Sequence, residues 1–272
     1  MHGAVDCHIH TAPDVVPRKL DDLEMVRQAK QAGLQAVVIK SHLGDTAARA
    51  AIAAASFSEV RVFGGVALNR SVGGLNPRAV EVSLQLGGKM VWMPTVDAAH
   101  HRFRTGRDGG INVLDPKGRL KPEAREILQL ARDSGAALCT GHLSPREIHC
   151  LISAAKEESV ASVVVSHPEF WITYLSLAEQ SVLLEQGVFF ERCYYASTLP
   201  QEERTDLGRS ISWVKSLGAG STILASDLGQ AHNISPLQGL ETMLQNFLQA
   251  GFSEADVRCM VRDNPRRILG LG

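Results

Sequence analysis

Short apolar runs rich in β-branched residues alternate along this chain with longer segments of helical periodicity. Strands that are buried on both faces of a parallel sheet read as unbroken Val, Ile and Leu segments, because helices cover the sheet. The runs that predict strands are residues 4–9, 36–39, 60–68, 90–94, 136–139, 162–165, 187–190 and 221–225. The helical segments between them are residues 21–32, 46–57, 77–86, 122–134, 145–157, 177–186 and 205–217. Eight strands in 272 residues amount to one βα unit per 34 residues.

Proline stands at the starts and glycine after the ends of these helical segments, as is typical of helices. Pro122 and Pro145 stand at first-turn positions, and glycines such as Gly33 and Gly135 follow the ends of helical runs. No Pro/Ser-rich linker divides the chain, so we predict one domain over residues 1–272, a (β/α)8 TIM barrel. A doubly wound open sheet is the alternative, but the phosphate-binding GxGxxG that would follow its first strand is missing.

One segment, residues 96–121, is too long for a plain loop after the fourth strand. Residues 110–121 predict a small hairpin, because Asp115-Pro116-Lys117-Gly118 has the composition of a turn. Loops that follow barrel strands lie over the catalytic face, so we expect this one to act as a lid.

Composition and charge exclude several classes of function. Lys plus Arg number 28 and Asp plus Glu 29, a net charge of -1, so no global field attracts nucleic acid or an anionic membrane. No apolar run approaches the roughly 18 residues of a membrane span, and the first residues lack the features of a signal peptide. Five scattered cysteines without a CxxC favour a reducing, cytoplasmic setting. The apolar faces of the predicted helices are also compatible with a homo-oligomer.

Histidines cluster at the predicted carboxyl ends of strands. The residues concerned are His8, His10, His42, His142 and His167, with His100 a few residues beyond a strand. In a parallel barrel these ends meet at one mouth, and neutral imidazole is the commonest side-chain metal ligand.

The first strand, Asp6-Cys7-His8-Ile9-His10, gives this cluster its centre. Period-2 alternation predicts His8 and His10 on one face with Asp6 behind them, where its carboxylate would orient a ligand ring. Cys7 and Ile9 are then expected to face the helices. Alone, the pair is also compatible with hydrogen-bonded core histidines. Together with His142, His167 and Asp227, which ends the eighth strand, it predicts a divalent metal site.

With these residues, the sequence resembles the amidohydrolase superfamily over its whole length. The resemblance rests on His8-x-His10, on His142, His167 and Asp227 after strands five, six and eight, and on the closing residues 263–271. Within that superfamily, residues 64–69 (GGVALN) and 72–77 (VGGLNP) resemble a small group of metal-dependent hydrolases catalogued as a domain of unknown function. The resemblance implies a TIM barrel, one or two zinc-like ions, with Mn²⁺ or Fe²⁺ as alternatives, and hydrolysis of an amide, ester or related bond.

The sequence departs from the superfamily pattern at one position. Two-metal members often carry a carboxylated lysine or a glutamate at the end of the fourth strand, where this chain has Thr95. Lys40, at the end of the second strand, is the expected replacement as a carboxylated, bridging lysine. The alternatives are a lysine that meets an anionic substrate group, a bridge from Glu191 or Asp97, or a single ion.

The mechanism and substrate follow as expectations. Imidazole ligands bring no charge, so a bound ion can lower the pKa of water to about 7, with Asp227 accepting the proton. His42 or His100 would polarise the substrate carbonyl. Residues expected to bind a carboxylate or carbonyl-rich small molecule are Asn69, Arg70, His101, Arg102 and Arg104.

We therefore predict a metal-dependent hydrolase of C–N bonds in amides or cyclic amides. Lactone or phosphoester hydrolysis and metal-dependent decarboxylation on the same site are alternatives. From other classes come a Schiff-base lyase using Lys40 and an inactive barrel kept as a binding protein.

Overall fold

The computed structural model describes residues 1–271, in which short parallel strands alternate with helices. The strands are β1 (Val5–Ile9), β2 (Ala36–Ile39), β3 (Arg61–Phe63), β4 (Gly65–Ala67), β5 (Met90–Trp92), β6 (Ala137–Cys139), β7 (Val163–Ser166), β8 (Phe189–Cys193) and β9 (Thr222–Ala225). The helices are α1 (Asp22–Gln31), α2 (Ala47–Ser56), α3 (Pro77–Gln85), α4 (Ala99–Arg104), α5 (Pro122–Ser134), α6 (Pro145–Glu157), α7 (Leu177–Leu184), α8 (Leu207–Leu217), α9 (Pro236–Gln249), α10 (Glu254–Arg258) and α11 (Asn264–Leu269).

The predicted third strand forms as two short strands, β3 and β4, separated at Gly64. Parallel pairing runs β1-β2-β3 and then β4-β5-β6-β7-β8-β9. Thr46 joins the two sheets: its Oγ1 lies 2.7 Å from Ile39 O and 3.0 Å from Gly65 O, which share its single hydrogen, and it accepts from Gly65 N at 2.9 Å. A Cβ at residue 64 would collide with the Thr46 backbone, so the close approach requires glycine there.

The first and last strands meet at a seam. Ile9 and Leu228 form a parallel bridge, and the backbone N–H of Asp227 donates to His8 O at 2.8 Å. The N–H of His10 donates in turn to Leu228 O at 2.8 Å. The predicted (β/α)8 barrel is confirmed, with the third barrel strand interrupted.

Apolar side chains fill the lower half of the barrel interior. Trp92, Met90 and Phe189 are buried there together with Ile268 and Leu269 of α11. Two further clusters of aliphatic residues pack between the strands and the surrounding helices. Helix α11 therefore plugs the end of the barrel at which the strands begin, and the histidines lie at the opposite end.

The strict alternation expected along β1 is wrong at one position. The register of β1 against β2 shifts between Asp6 and Ile9. Cys7 consequently packs with Trp92 in the barrel interior, whereas Ile9 packs towards the helices as expected. A bulge adds one residue to a strand and reverses the facing of those before it, which a period of 2 cannot anticipate.

The hairpin predicted after the fourth barrel strand is present. Leu114 and Leu120 form an antiparallel bridge, and Gly118 N donates to Asp115 O at 2.9 Å to close the turn. The pattern did not predict α4, which precedes this hairpin. Within residues 1–271, no helix combines the length and the apolar character needed to span a bilayer.

Candidate metal centre

Four polar side chains from three strand ends converge at the mouth of the barrel. His8 Nε2 lies 3.0 Å from Asp227 Oδ1, and His10 Nε2 lies 3.1 Å from the same oxygen. Lys40 Nζ lies 2.9 Å from His8 Nε2. All four residues are buried. The structure therefore places two imidazole nitrogens, a carboxylate oxygen and an amine around one point.

The other face of the His8 ring contacts β8. Its Nδ1 lies 3.1 Å from Glu191 Oε2 and 3.7 Å from Cys193 Sγ. Asp6, which we expected behind the histidines, accepts hydrogen bonds from the backbone N–H groups of His8 (3.2 Å) and Ser226 (3.1 Å) instead. The carboxylate at the Nδ1 of His8 is thus Glu191, and Asp6 ties β1 to β9.

His142 and His167, which follow β6 and β7, extend the cluster. Their ring centroids are 4.9 Å apart, and that of His167 is 6.3 Å from that of His8. Thr173 fixes the turn after β7, because its Oγ1 donates to His167 O (2.9 Å) and lies 3.2 Å from His167 Nδ1. Four of the predicted histidine ligands, Lys40 and Asp227 therefore occupy one continuous cluster.

The backbone is held in unusual conformations at two of these positions. His167 has φ 29° and Asp227 has φ 52°, both in the left-handed region. Non-glycine residues in that region are uncommon and are frequent at functional sites. At Gly229 (φ 138°) a Cβ would collide with the carbonyl of His10, so this glycine allows the β9 loop to approach His10 closely.

Charge pairing sets the protonation of His8 and Asp227. Burial disfavours the charged form of His8, but the negative charges of Asp227 and Glu191 and the hydrogen bond to Asp227 together outweigh it and raise the pKa of His8 to about 9. Burial would likewise raise the pKa of Asp227; the charge of His8 and the hydrogen bond with His10 instead hold it well below its usual range. In the absence of an ion, the two residues form a buried ion pair.

The other histidines predicted as ligands, His10, His142 and His167, are neutral at pH 7. Burial lowers the pKa of His10 and of His167 to about 4. Burial and the neighbouring His167 hold the pKa of His142 well below the usual range. Neutral imidazoles have the bare nitrogen that metal coordination requires.

His42 lies at the edge of the cluster, 4.9 Å from His10 between ring centroids. Its Nδ1 lies 2.9 Å from Thr95 Oγ1. Asn69 is fully buried, and its amide donates to Thr95 Oγ1 (2.6 Å) and to His42 O (2.7 Å). The Asn69 carbonyl oxygen accepts from the N–H groups of Thr95 (2.9 Å) and Asp97 (3.1 Å). All hydrogen-bonding positions of Asn69 are therefore engaged with protein atoms.

The two histidines of α4 differ in their surroundings. His101 is buried, and its ring meets that of His142 edge to edge, with the Nδ1 atoms 2.6 Å and the ring centroids 4.8 Å apart. His100 is only partly buried, and its Nε2 lies 2.8 Å from Ile172 O in the loop after β7. The structure thus brings His101 to the cluster and ties His100 to the neighbouring loop.

The expected cationic residues lie further out on the mouth. Arg70 is exposed, Arg102 donates from Nε to Asp108 O at 2.8 Å, and the guanidinium of Arg104 lies 5.4 Å from the centre of the Trp171 ring. A cleft of about 570 Å³ opens beside α4 and the hairpin; His100, Lys121 and Arg146 line it, and no residue of the histidine cluster contributes to the described lining.

A model of a family of unknown function, DUF6282, matches residues 3–191, which is more than half of the chain. The chain belongs to this family. This match agrees with the resemblance of residues 64–69 and 72–77 to a group catalogued as a domain of unknown function. No curated protein matches the sequence.

Solved structures share the fold at low sequence identity. An amidohydrolase from Pseudomonas aeruginosa is 14% identical with a TM-score of 0.70, covering 98% of this chain and 96% of its own. The probable dipeptidase PvdM from the same organism is 13% identical with a TM-score of 0.71, covering 98% and 94%. The organophosphorus hydrolase from Deinococcus radiodurans is 17% identical with a TM-score of 0.63, covering 98% and 92%. The fold implied by the resemblance to the amidohydrolase superfamily is confirmed.

Proposed function

We propose that this protein is a metal-dependent hydrolase that cleaves a C–N bond, in an amide or cyclic amide, of a small anionic or carbonyl-rich substrate. The observation that carries the proposal is the convergence of His8 Nε2 and His10 Nε2 on Asp227 Oδ1, at 3.0 and 3.1 Å. Hydrolytic neighbours with the same fold raise the expectation of an enzyme, but the proposal rests on this donor set.

The donors fit a divalent ion by their type and spacing. Zinc binds imidazole nitrogen and carboxylate oxygen at about 2.1 Å, so two tetrahedral ligands stand about 3.4 Å apart. The distances of 3.0 and 3.1 Å are close to that spacing. Zn²⁺ is the first candidate, and the same N and O donors suit Mn²⁺ or Fe²⁺.

His8, His10 and Asp227 would hold one ion. His142 and His167, whose rings are adjacent, would contribute to a second. Lys40 is buried and contacts His8, a position that suits a carboxylated lysine shared by the two ions. Glu191 would hold the His8 ring through its Nδ1, since outer carboxylates commonly orient metal-binding imidazoles.

A divalent ion held by these residues would supply a water that is deprotonated near neutral pH and a positive charge that polarises a carbonyl. The Asp227 carboxylate stays ionised at neutral pH and would accept the proton of the attacking water, then deliver it to the leaving nitrogen. Because Asn69 already donates to Thr95 Oγ1, the Thr95 hydroxyl hydrogen is free to donate to His42 Nδ1. That bond leaves the His42 proton on Nε2, from which it can donate to a substrate carbonyl.

The substrate class rests on the cations of the mouth. Arg70 follows β4 and Arg104 ends α4; both are exposed, and Lys121 and Arg146 line the adjacent cleft. Such a mouth favours a molecule that carries a carboxylate or several carbonyl groups.

Elemental analysis of untreated protein, followed by a substrate panel, tests the proposal. We expect one or two divalent ions per chain and turnover of imides or amides that chelation abolishes and zinc restores. Hydrolysis of lactones or p-nitrophenyl phosphates instead would change the bond type, and CO₂ release would indicate a decarboxylase. Borohydride trapping of substrate on Lys40 would support the lyase. Protein that contains no metal and binds none would contradict the proposal.

A further inference from the structure

The cleft beside α4 and the hairpin has a volume of about 570 Å³, which is in the range of small-molecule sites. Residues of α4, of the hairpin and of the first turn of α6 form its walls. Within residues 1–271, no member of the histidine cluster lines the cleft. A molecule bound in it would therefore be separate from a substrate at the proposed metal centre.

Two cationic side chains line the cleft without a partner from the protein. Lys121 directly precedes α5, and Arg146 lies in the first turn of α6. Neither forms an ion pair within the described residues, whereas the nearby Arg119 lies 2.9 Å from Asp115. The hairpin turn lies directly against the Arg146 guanidinium, because a Cβ at Gly118 would collide with Arg146 Nη2. Unpaired cations that face one cleft favour an anionic ligand.

The two carboxylates of the lining, Asp115 and Glu147, are already bound by donors of the protein. Asp115 accepts from the backbone N–H of Arg119 and from its guanidinium, both at 2.9 Å. Glu147 Oε1 accepts from Val113 N at 3.1 Å, and its Oε2 accepts from Ser144 Oγ at 2.7 Å. Glu147 thereby joins the chain of the hairpin to the start of α6. The walls are held together without a ligand, and the positive charges of the cleft stay unbalanced.

An apolar surface shares the cleft with these cations. Phe103 of α4 is 78% exposed, and Leu114 and Pro116 of the hairpin line the cleft with it. An aromatic side chain exposed to that extent gains most by covering its ring with another apolar group. The cleft therefore combines attraction for an anion with attraction for an apolar group.

We propose that this cleft is a second binding site, which takes a small molecule that carries a carboxylate or a phosphate next to an aromatic or alkyl group. Lys121 and Arg146 bind the anion, and Phe103 packs against the apolar part. The site requires no metal ion, so the proposal goes beyond the proposed function and does not depend on it.

Isothermal titration calorimetry with benzoate and with phenyl phosphate tests the site on the untreated protein. Inorganic phosphate supplies the anion without a ring, and benzyl alcohol supplies a ring without the anion. Lys121→Gln and Arg146→Gln each remove one charge, and Phe103→Ala removes the apolar surface. Lys117→Gln is the matched control, since Lys117 is exposed on the same hairpin and lies outside the lining. His10→Ala separates binding in the cleft from binding at the proposed metal centre.

We expect benzoate or phenyl phosphate to bind more tightly than inorganic phosphate or benzyl alcohol, and the tighter of the two anions identifies the acidic group of the ligand. Lys121→Gln and Arg146→Gln should each weaken that binding about 10-fold, as is usual when a hydrogen bond to a charged group is lost. Phe103→Ala should remove the advantage of the ring. Lys117→Gln should match the wild type, and His10→Ala should keep the binding that the cleft variants weaken.

The absence of saturable binding of either anion to the wild type would overturn the proposal. Unchanged affinities in folded Lys121→Gln and Arg146→Gln would also overturn it. Binding that disappears in His10→Ala but persists in the cleft variants would place the probes at the proposed metal centre, against the proposal. Protein that binds no metal but still binds the anions through Lys121 and Arg146 would contradict the proposed function alone.

Discussion

His8 Nε2 and Asp227 Oδ1 lie 3.0 Å apart, although His8 lies on the first strand of the barrel and Asp227 directly after the last. The backbone hydrogen bond from Asp227 N to His8 O, at 2.8 Å, fixes the two strand ends against each other. The proposed metal centre is therefore built across the seam, and its integrity depends on β1 and β9 remaining paired.

Replacing His10 with Ala should remove at least one metal equivalent per chain and nearly all turnover. The reason is that His10 Nε2 is one of three donors around the proposed first ion. Elemental analysis and an assay on the substrate that the panel identifies measure both effects. His149→Ala on α6 is the control. Full activity of His10→Ala with unchanged metal content would refute the assignment.

Lys40→Ala should lower metal occupancy, because the variant has no amine to carboxylate beside His8. A short carboxylic acid in the buffer should restore part of the occupancy by taking the place of the missing anion. Lys89→Ala is a suitable control, since Lys89 lies at the start of β5, at the opposite end of the barrel. Unchanged metal content in Lys40→Ala would identify Lys40 as a substrate-binding residue instead.

Asn69→Ala should destabilise the protein. The buried amide makes four hydrogen bonds that hold Thr95, Asp97 and His42, and each such bond contributes about 1 kcal/mol net. We expect the free energy of unfolding in urea to fall by roughly 2–4 kcal/mol. The exposed Asn112→Ala provides the comparison. A raised KM with unchanged stability would show that Asn69 binds substrate rather than shaping the mouth.

Removing the ion should lower the melting temperature. A ligand at 100 times its Kd stabilises the folded state by about 2.7 kcal/mol, which for a chain of this size corresponds to roughly 5–10 °C. Differential scanning calorimetry with chelator, and again after zinc is added back, measures the shift. His10→Ala should show a smaller response to both treatments than the wild type, because it lacks a donor of the proposed first ion. An equal response in the variant would place the bound ion elsewhere.

Much of the fold was predictable because each βα unit has a local signal. Proline marks the starts of α5 and α6, and the predicted bounds 122–134 and 145–157 agree with the structure. The break at Gly64 was not predictable, because it depends on Thr46, a residue distant in sequence that takes over the hydrogen bonds of the strand edge.

The sequence predicts which residues form the candidate site better than it predicts which side chains contact one another. Histidines at strand ends identified the cluster, because parallel topology alone brings those ends together. The bulge in β1 altered which neighbour each side chain meets, so that Glu191 rather than Asp6 contacts the His8 ring. A signal for Glu191 existed: with Arg192 it is one of two charged residues inside the otherwise largely apolar strand β8.

The plug formed by α11 and the packed lower interior has a consequence for traffic through the barrel. With Trp92 and Phe189 filling the space above Ile268, molecules can reach the histidine cluster from one side alone. Substrate must then enter, and product must leave, through the same opening at the mouth of the barrel. A slowly departing product would compete directly with the next incoming molecule.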